Sequence, residues 1–251
     1  MDKPLRWLTP EEINTYERDG ALCARQVISR EWIERMATAV ERIIASPSKP
    51  FGQQMSNRDR GLTHDLYMYT FDADFRAFVF ESPAVLLVNQ LLSAQMVRFF
   101  YDQLFVKEAG SPVPTLWHHD ITFWPLAGQQ ICSIWLPLDP VDRAASGLEY
   151  VRGSHRWPQR FKAIGVGEGG NPVEMWPRPE LADVPDIDAH RDQYEVISWD
   201  FVPGDALFFH PCTLHGSGTN TSPTQRRRAF ATRWVGDDVI FTGERTLPLP
   251  G

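Results

Sequence analysis

The sequence predicts a mainly β protein with flanking helices, in which a helical N-terminal part precedes a β-rich core. Two observations predict this class. Residues 1–95 contain capped apolar patterns with a helical period, whereas from Met96 onward short β-rich runs alternate with Gly, Pro and Asp. Several short strands separated by turn residues are typical of an all-β sandwich or barrel. The length of 251 residues suits one large β domain, so we predict a single domain over 1–251.

The first two helices are predicted from their caps and their apolar spacing. Thr9 is a candidate N-cap, Pro10 occupies the first helical position, and Gly20 ends the helix. Ser29 can cap a second helix, which the Ser-Pro pair at 46–47 stops. Its apolar residues follow one helical face; they are Trp32, Ile33, Met36, Val40, Ile43 and Ile44.

A third helix is predicted over 84–92, after the Ser-Pro pair at 82–83. The stretch 51–70 before it is polar and aromatic, and we interpret it as a loop or short strands over a pocket. The core is predicted over 96–236. Its β-rich runs are 97–106, 117–124, 131–138, 147–151, 194–199, 206–209 and 229–235. The segment 164–191 is rich in Gly, Pro and Asp without periodicity, and we predict a lid or binding loop there.

Composition and charge exclude several classes of function. The formal net charge is −7 and no extended basic patch occurs, so we expect no nucleic-acid partner. No signal peptide and no apolar run of membrane-spanning length is visible, so we expect a cytoplasmic protein without membrane contact. The three cysteines have no metal-binding spacing, and we interpret them as reduced packing residues. Of the classes of partner considered, we therefore expect a small-molecule substrate.

The chemistry-bearing residues begin with a His-x-Asp in the predicted strand 117–124. Residues two apart in a strand point the same way, so His118 and Asp120 share a face and His119 points away. A His-x-Asp by itself is more often a structural pair than a metal site. His215 follows 97 residues after His118, with glycine directly behind it, which lets the backbone approach a ligand closely. The rival, His210, is five residues away and is interpreted as a buried packing histidine.

Two histidines and one carboxylate can fill one face of an Fe(II) ion and leave positions open for a co-substrate and oxygen. A cation behind such a site can hold the carboxylate tail of a 2-oxo acid. The only dense basic run, residues 226–228, lies just after His215. The sequence therefore favours a metal site that uses a 2-oxo acid.

Three segments in this order, 115–125, 147–157 and 215–220, resemble motifs of the phytanoyl-CoA dioxygenase family. The resemblance extends from about residue 8 to residue 234. This family belongs to the Fe(II)/2-oxoglutarate oxygenases. The resemblance implies a double-stranded β-helix (a cupin-like jelly roll) with the N-terminal helices packed on it.

The resemblance also implies roles for individual residues. It assigns iron binding and catalysis to His118, Asp120 and His215. It places the distal carboxylate of 2-oxoglutarate on Arg226, eleven residues after His215. Arg226 and Arg228 would point the same way in a strand, so strand alternation alone does not choose between them, and the family spacing selects Arg226. Arg227 and Arg228 are interpreted as solvated or paired elsewhere.

Further co-substrate contacts are expected from Ser217, which lies two residues after the iron histidine, and from Trp135. Thr115 and Gln103 are weaker candidates for the same contact and could equally be packing residues. Some family members use an upstream lysine for 2-oxoglutarate, and no clear equivalent occurs at 63–69. The substrate-facing candidates are His64, Tyr67, Tyr69, Phe123 and Trp124.

The function that the resemblance implies is hydroxylation of an unactivated C–H bond in a small-molecule metabolite. Fe(II), 2-oxoglutarate and O2 would be needed, and succinate and CO2 released. One alternative is a cupin-type metal enzyme that does not use 2-oxoglutarate and so needs no Arg226. Another is a sensor or binding module, which would usually have lost a metal ligand.

Overall fold

The computed structural model describes residues 1–45, 60–167 and 171–243. The helices are α1 (Pro10–Asp19), α2 (Arg30–Ala45), α3 (Ala73–Glu81) and α4 (Ala84–Leu92). The strands are β1 (Ala21–Ala24), β2 (Leu62–Leu66), β3 (Arg98–Lys107), β4 (Thr115–His118), β5 (Leu126–Ala127), β6 (Ile131–Pro137), β7 (Glu149–Val151), β8 (Ile164–Val166), β9 (Pro172–Glu174), β10 (Val196–Ser198), β11 (Ala206–Phe209), β12 (His215–Ser217), β13 (Arg227–Val235) and β14 (Ile240–Phe241). The predicted helix stop at 46–47 and residues 51–59 of the stretch 51–70, which was interpreted as a loop or short strands, lie outside the described residues.

The predicted helices form for the local reasons that the sequence contains. Thr9 and Glu12 cap α1 reciprocally, and Gly20 ends it at φ 81°, a left-handed conformation that glycine adopts without strain. The apolar stripe of α2 is buried, apart from the half-buried Ile44. α4 covers the predicted range, and α3 precedes it in a part of the chain for which no helix was predicted.

Two antiparallel sheets form the body of the molecule. The large sheet has the strand order β1-β11-β6-β13-β3-β2 and the small sheet has the order β10-β7-β12-β4. This arrangement is the predicted jelly roll. β1 and β2 lie within the part that was predicted to be mainly helical. β1 was not predicted, because a strand of four residues is too short to show a clear alternation of polar and apolar side chains. β2 lies in the stretch 51–70, for which a loop or short strands were expected.

The two faces of the large sheet have different partners, as β13 shows. Phe230 and Trp234 pack into the core cluster that contains the helices. Ala229 and Ala231 point the other way and pack with Trp135 in a second cluster inside the jelly roll. Small side chains on this inner face leave space between the two sheets, which is where the candidate site lies.

The segment predicted as a lid contains a small antiparallel hairpin of β8 and β9. Trp176, which follows β9, packs edge-on against Phe123 with a ring-centroid distance of 5.9 Å. The segment 164–191 therefore lies over the 3₁₀ turn that carries Phe123. That this segment acts as a lid stays a prediction.

Among the described residues, no single helix is long and apolar enough to cross a membrane. The bent pair α3 and α4 would pass that test together, by length and composition alone.

Candidate active site

Three predicted metal-binding side chains meet between the two sheets. His118 and His215 are partners across β4 and β12, and their ring centroids lie 4.2 Å apart. Asp120 Oδ1 lies 3.4 Å from His118 Nε2 and 3.7 Å from His215 Nε2. All three potential ligand atoms lie within 4.8 Å of one another. The geometry thus offers a facial set of two imidazoles and one carboxylate.

Asp120 reaches this position by a route different from the predicted one. The predicted strand 117–124 ends at His118, and Asp120–Phe123 form a 3₁₀ turn. The expected convergence of His118 and Asp120 still occurs, because the turn brings the carboxylate back over the strand end. His119, as parity predicts, points away and its Nε2 accepts a hydrogen bond from the backbone N–H of Phe161.

Backbone carbonyls orient both imidazoles. His118 Nδ1 lies 2.7 Å from the carbonyl oxygen of Leu116, and His215 Nδ1 lies 2.9 Å from that of Thr213. A carbonyl can only accept a hydrogen bond, so each Nδ1 carries the proton and each Nε2 presents a lone pair. This is the tautomer that a metal-binding histidine needs, with its ring fixed from behind.

Burial and nearby groups keep His215 and Asp120 in the protonation states that bind a metal. Burial, together with the neighbouring His118, lowers the pKa of His215 to about 3. Burial acts to raise the pKa of Asp120, but the contact with His118 and the neighbouring His215 and Arg233 outweigh this, so the pKa falls well below its usual range. The side chain of His118 is 16% exposed, which gives solvent access to the site.

Arg226, the predicted anchor for 2-oxoglutarate, is not in this site. Its guanidinium lies on the outer side of the large sheet, 3.0 Å from Glu41 of α2 and 3.2 Å from Glu108. Arg228 shares that side and contacts Asp139 at 2.5 Å. The prediction for Arg226 is therefore corrected. Counting from His215 failed because the eleven-residue spacing crosses the irregular loop between β12 and β13 and so does not set the phase of β13, in which Arg227 shares the inner face with Ala229 and Ala231.

Arg227 is the arginine that points between the sheets. It is 2% exposed, and its guanidinium lies over the ring of Trp135, 5.6 Å from the centroid. Within the described part of the chain, no carboxylate lies within salt-bridge distance of it, and its Nε has no hydrogen-bond partner. In a strand, Arg227 points the same way as the small residues Ala229 and Ala231, and this alternation is the signal in the sequence that could have identified Arg227 as the inward-facing arginine.

Lys107 is a second interior basic residue that the sequence did not reveal. It is the neighbour of Arg227 across β3 and β13 and is 1% exposed. Its Nζ donates to Ser146 Oγ at 2.9 Å and to Ser217 Oγ at 3.1 Å. Burial, and then the charge of Arg227, lower its pKa to about 6. Ser217 thus lies in a polar pocket beside Lys107 and Arg227, and its contact with the co-substrate stays a prediction.

Comparison with known proteins agrees with this geometry. The sequence model of the family described as phytanoyl-CoA dioxygenase (PhyH) matches residues 16–229.

The chain belongs to the phytanoyl-CoA dioxygenase family.

Among curated relatives in the family, the peroxisomal phytanoyl-CoA dioxygenase of Bos taurus is 24% identical over 234 residues, covering 88% of this chain. The chain spans only 66% of the length of that relative. The ectoine dioxygenase of Bordetella parapertussis is 23% identical and covers 89% of this chain and 74% of its own.

Solved structures share the fold. The α-ketoglutarate-dependent epimerase SnoN from nogalamycin biosynthesis has a TM-score of 0.72 at 20% identity and covers 96% of this chain and 89% of its own. EctD from S. alaskensis, solved with 2-oxoglutarate and 5-hydroxyectoine, has a TM-score of 0.71 at 16% identity, covering 91% and 76%.

The remaining co-substrate candidates of this family member lie around the pocket. Trp135 is buried on the inner face of β6, under Arg227. Thr115 is the partner of Ser217 across β4 and β12. Gln103 lies on the inner face of β3 opposite Ala231, and its Nε2 lies 2.5 Å from His64 Nε2. The structure therefore brings all three to the same space between the sheets.

The substrate candidates divide into two groups. His64 stacks on Phe105 of the inner face, and Tyr67 packs against Tyr101. Phe123 and Trp124 follow Asp120 directly. Phe123 contacts the ring of His118 edge-on, at a centroid distance of 5.7 Å, while Trp124 is buried and donates a hydrogen bond from Nε1 to Tyr101 Oη at 2.8 Å.

Tyr69 lies between two clusters, because it packs against the cluster of Tyr67, Tyr101 and Trp124 and also against the helix-covered core, and its role toward the substrate stays a prediction. Its ring packs edge-on against Phe99, which in turn contacts Trp234 on the helix-covered side of the large sheet. A 3₁₀ turn at Met68–Thr70 causes this, because it breaks the alternation expected for residues 67 and 69 in a strand.

Two further sequence interpretations concern His210 and the glycine after His215. His210 is buried, lies apart from the triad and bonds with Cys212 N–H and the carbonyl of Gln129, as a packing histidine would. Gly216 was expected to admit a ligand. It instead admits the neighbouring strand, since a Cβ there would lie 3.0 Å from the carbonyl oxygen of Thr115.

Proposed function

We propose that this chain is an Fe(II)- and 2-oxoglutarate-dependent dioxygenase that hydroxylates an unactivated C–H bond of a small-molecule metabolite and releases succinate and CO2. The observation that carries the proposal is the triad of His118, Asp120 and His215, with both Nε2 atoms turned inward beside a polar pocket that contains the buried Arg227. We also propose that residues 1–251 form one oxygenase domain.

The donor set fits the metal. Two neutral imidazoles and one carboxylate are the facial set typical of non-haem Fe(II) oxygenases. His118, Asp120 and His215 would hold the ion, and the carbonyls behind the two imidazoles would keep their rings aligned. The bound metal supplies the activation of oxygen, and the protein supplies position and exclusion of water.

The pocket beside the triad fits the co-substrate. Arg227 offers a planar guanidinium that no carboxylate of residues 1–45, 60–167 or 171–243 pairs with, and such a group binds a carboxylate with two parallel hydrogen bonds. Ser217 and Lys107 would add donors to the same distal carboxylate. Trp135 would close the pocket on the side of Arg227, with Thr115 and Gln103 at its margins. This arrangement would orient 2-oxoglutarate with its 2-oxo acid end toward the triad.

The substrate would bind near the exposed edge of His118. Phe123 lies at that edge, and Trp176 of the predicted lid covers it from outside. Structural relatives act on or bind small molecules, namely nogalamycin intermediates and ectoine derivatives, which supports a small-molecule substrate. Cytoplasmic location and the lack of membrane and nucleic-acid partners stay predictions from the sequence.

The test is an anaerobic titration of metal-free protein with Fe(II) and then with 2-oxoglutarate. A chelated 2-oxo acid gives a weak visible charge-transfer band, and we expect this band in the wild type and its loss in Asp120→Ala. Oxygen should then convert 2-oxoglutarate to succinate. Iron binding without the band would refute the proposal and favour the cupin-type alternative. Failure to bind iron would favour a sensor or binding module.

The cupin-type alternative differs from the proposed function in needing no arginine for 2-oxoglutarate. Because Arg226 lies on the outer side of the sheet, substituting it does not distinguish the cupin-type enzyme from a 2-oxoglutarate-dependent one. The informative residue is Arg227.

A further inference from the structure

A second arginine is buried inside the jelly roll, and neither the triad nor the 2-oxoglutarate pocket accounts for it. Arg233 is 3% exposed on the inner face of β13. Nε and Nη1 have no hydrogen-bond partner among the described residues. The nearest acidic contact is Asp120 Oδ2, 3.8 Å from Nη2, which is too long for a hydrogen bond. The guanidinium lies 4.8 Å from the ring centroid of Tyr101.

Asp120 does not neutralise this cation. Its carboxylate is shared with His118 and His215, and in the loaded enzyme it would be a ligand to the metal. A buried guanidinium with unfilled donors is costly unless an anion binds to it. Its five N–H groups in a planar fork match a carboxylate.

2-Oxoglutarate is not that anion. Arg227 and Arg233 are six residues apart on one face of β13, which separates their backbones by roughly 20 Å. A five-carbon dicarboxylate held at Arg227 and the triad does not extend to Arg233. Asp120 lies beside Arg233, so this guanidinium is on the far side of the metal centre from the co-substrate pocket.

The surroundings of Arg233 are aromatic. Tyr67, Tyr101 and Trp124 belong to one buried cluster there. Tyr67 has a left-handed backbone at φ 61° although it is not glycine, and it is fully buried. Its N–H donates to the carbonyl of Asp102 at 3.0 Å, which holds that conformation. Strained residues of this kind occur preferentially at ligand-binding sites.

We propose that Arg233 binds a carboxylate group of the substrate, on the Asp120 side of the metal centre. This inference rests on the proposed function and names the class of substrate: a small carboxylic acid whose apolar or aromatic body lies against Tyr67, Tyr101 and Trp124. Arg233 is then the residue that selects acids over their neutral analogues.

The test uses matched acid and amide probes. Phenylacetate and 3-phenylpropionate, each with its primary amide, are titrated calorimetrically and without oxygen into the Fe(II)–2-oxoglutarate complex. We expect the acids to bind about tenfold to a hundredfold more tightly than the amides, as one charged hydrogen-bonded pair predicts. Arg233→Gln should remove this preference and keep the charge-transfer band, and Arg233→Lys should restore part of it. Arg226→Gln, on the outer side of the sheet, should leave it unchanged.

Several results would overturn the inference. One is equal affinity for acid and amide, and another is an acid preference that persists in Arg233→Gln. The third is no binding of either acid at about 10 mM, a concentration that fills even a site with a millimolar dissociation constant. Loss of the charge-transfer band in Arg233→Gln would instead make Arg233 a positioning residue for Asp120. Absence of the band in the wild type would refute the proposed function, and titration of the metal-free protein with the same probes would then decide on Arg233.

Discussion

Arg226 and Arg227 are consecutive residues whose guanidinium groups lie on opposite sides of the large sheet. Arg226 contacts Glu41 of α2, whereas Arg227 lies over Trp135 inside the jelly roll. A shift of one residue in a strand exchanges its two faces, so the phase of β13 decides which arginine can reach a co-substrate. The pair provides a variant and its control that differ by one position.

Arg227→Gln should weaken 2-oxoglutarate binding about tenfold to a hundredfold, because it removes a charged hydrogen-bonding group from a buried pocket. Arg226→Gln should leave the affinity unchanged, since its guanidinium pairs with Glu41 and Glu108 on the other side. The measurement is the anaerobic titration of the charge-transfer band. The reverse result would restore the assignment to Arg226.

His215→Gln should weaken Fe(II) binding by more than about a hundredfold, since even changes in residues that only support a ligand cost about 10- to 100-fold. The exposed His190 provides the control, and His190→Gln should bind iron as the wild type does. Equilibrium dialysis with Fe(II) under nitrogen measures both. Equal affinities of the two variants would exclude His215 as a ligand.

Binding of 2-oxoglutarate at pH 8 should take up about one proton per site, through Lys107. The pKa of free Lys107 is lowered to about 6, so the amine is neutral at pH 8. A carboxylate placed beside it raises that pKa, and the amine then gains a proton. Calorimetry in two buffers with different ionisation enthalpies measures the uptake.

Lys107→Met should abolish this proton uptake, and Lys3→Met, at an exposed position, should preserve it. Near pH 5 the wild type should also show little uptake, because Lys107 is protonated before binding. Uptake that persists in Lys107→Met would show that another group titrates.

Gly216→Ala should weaken Fe(II) binding about tenfold, the effect expected for overpacking between two ordered strands. A Cβ at Gly216 would lie 3.0 Å from the Thr115 carbonyl and 3.2 Å from the Trp117 side chain, so β4 and β12 would have to separate. These strands carry His118 and His215. Gly218→Ala is the control, because a Cβ there has open space. Similar iron affinities for both variants would contradict this account.

Asp205→Ala should lower the free energy of unfolding by about 2 kcal/mol, because it leaves buried donors without an acceptor. Asp205 accepts hydrogen bonds from the N–H groups of Val202 and Gln26 and pairs with Arg25 at 2.7 Å. Asp200→Asn, at an exposed carboxylate, should have little effect. Urea denaturation of the three proteins at pH 7 measures the difference.

The Asp205 contribution should also depend on pH. Burial acts to raise its pKa, but the hydrogen bonds from Val202, Arg25 and Gln26 outweigh burial and lower it. A depressed carboxyl pKa stabilises the fold above the ordinary value of about 4, and this stabilisation is lost as the pH falls through the folded pKa. Wild type and Asp205→Ala should therefore converge in stability in acid.

The sequence determined the features that depend on neighbouring residues. The capping box of Thr9 and Glu12 and the apolar stripe of α2 act within a few turns of helix, so they can be seen in the chain itself. The choice of His118 over His119 likewise follows from the orientation of adjacent side chains. The family motifs added the pairing of His118 with His215, which no local pattern contains.

Only the tertiary structure decided which residues meet from distant parts of the chain. Lys107 lies 110 residues before Ser217 and contacts it because β13 places β3 beside the pocket. Arg227 and Arg233 share a face with Ala229 and Ala231 by strand parity, but only the packing of β13 between β3 and β6 decides that this face points into the jelly roll. Neither effect is local, since strand register is fixed by the packing of whole sheets and by the burial of one face of each strand.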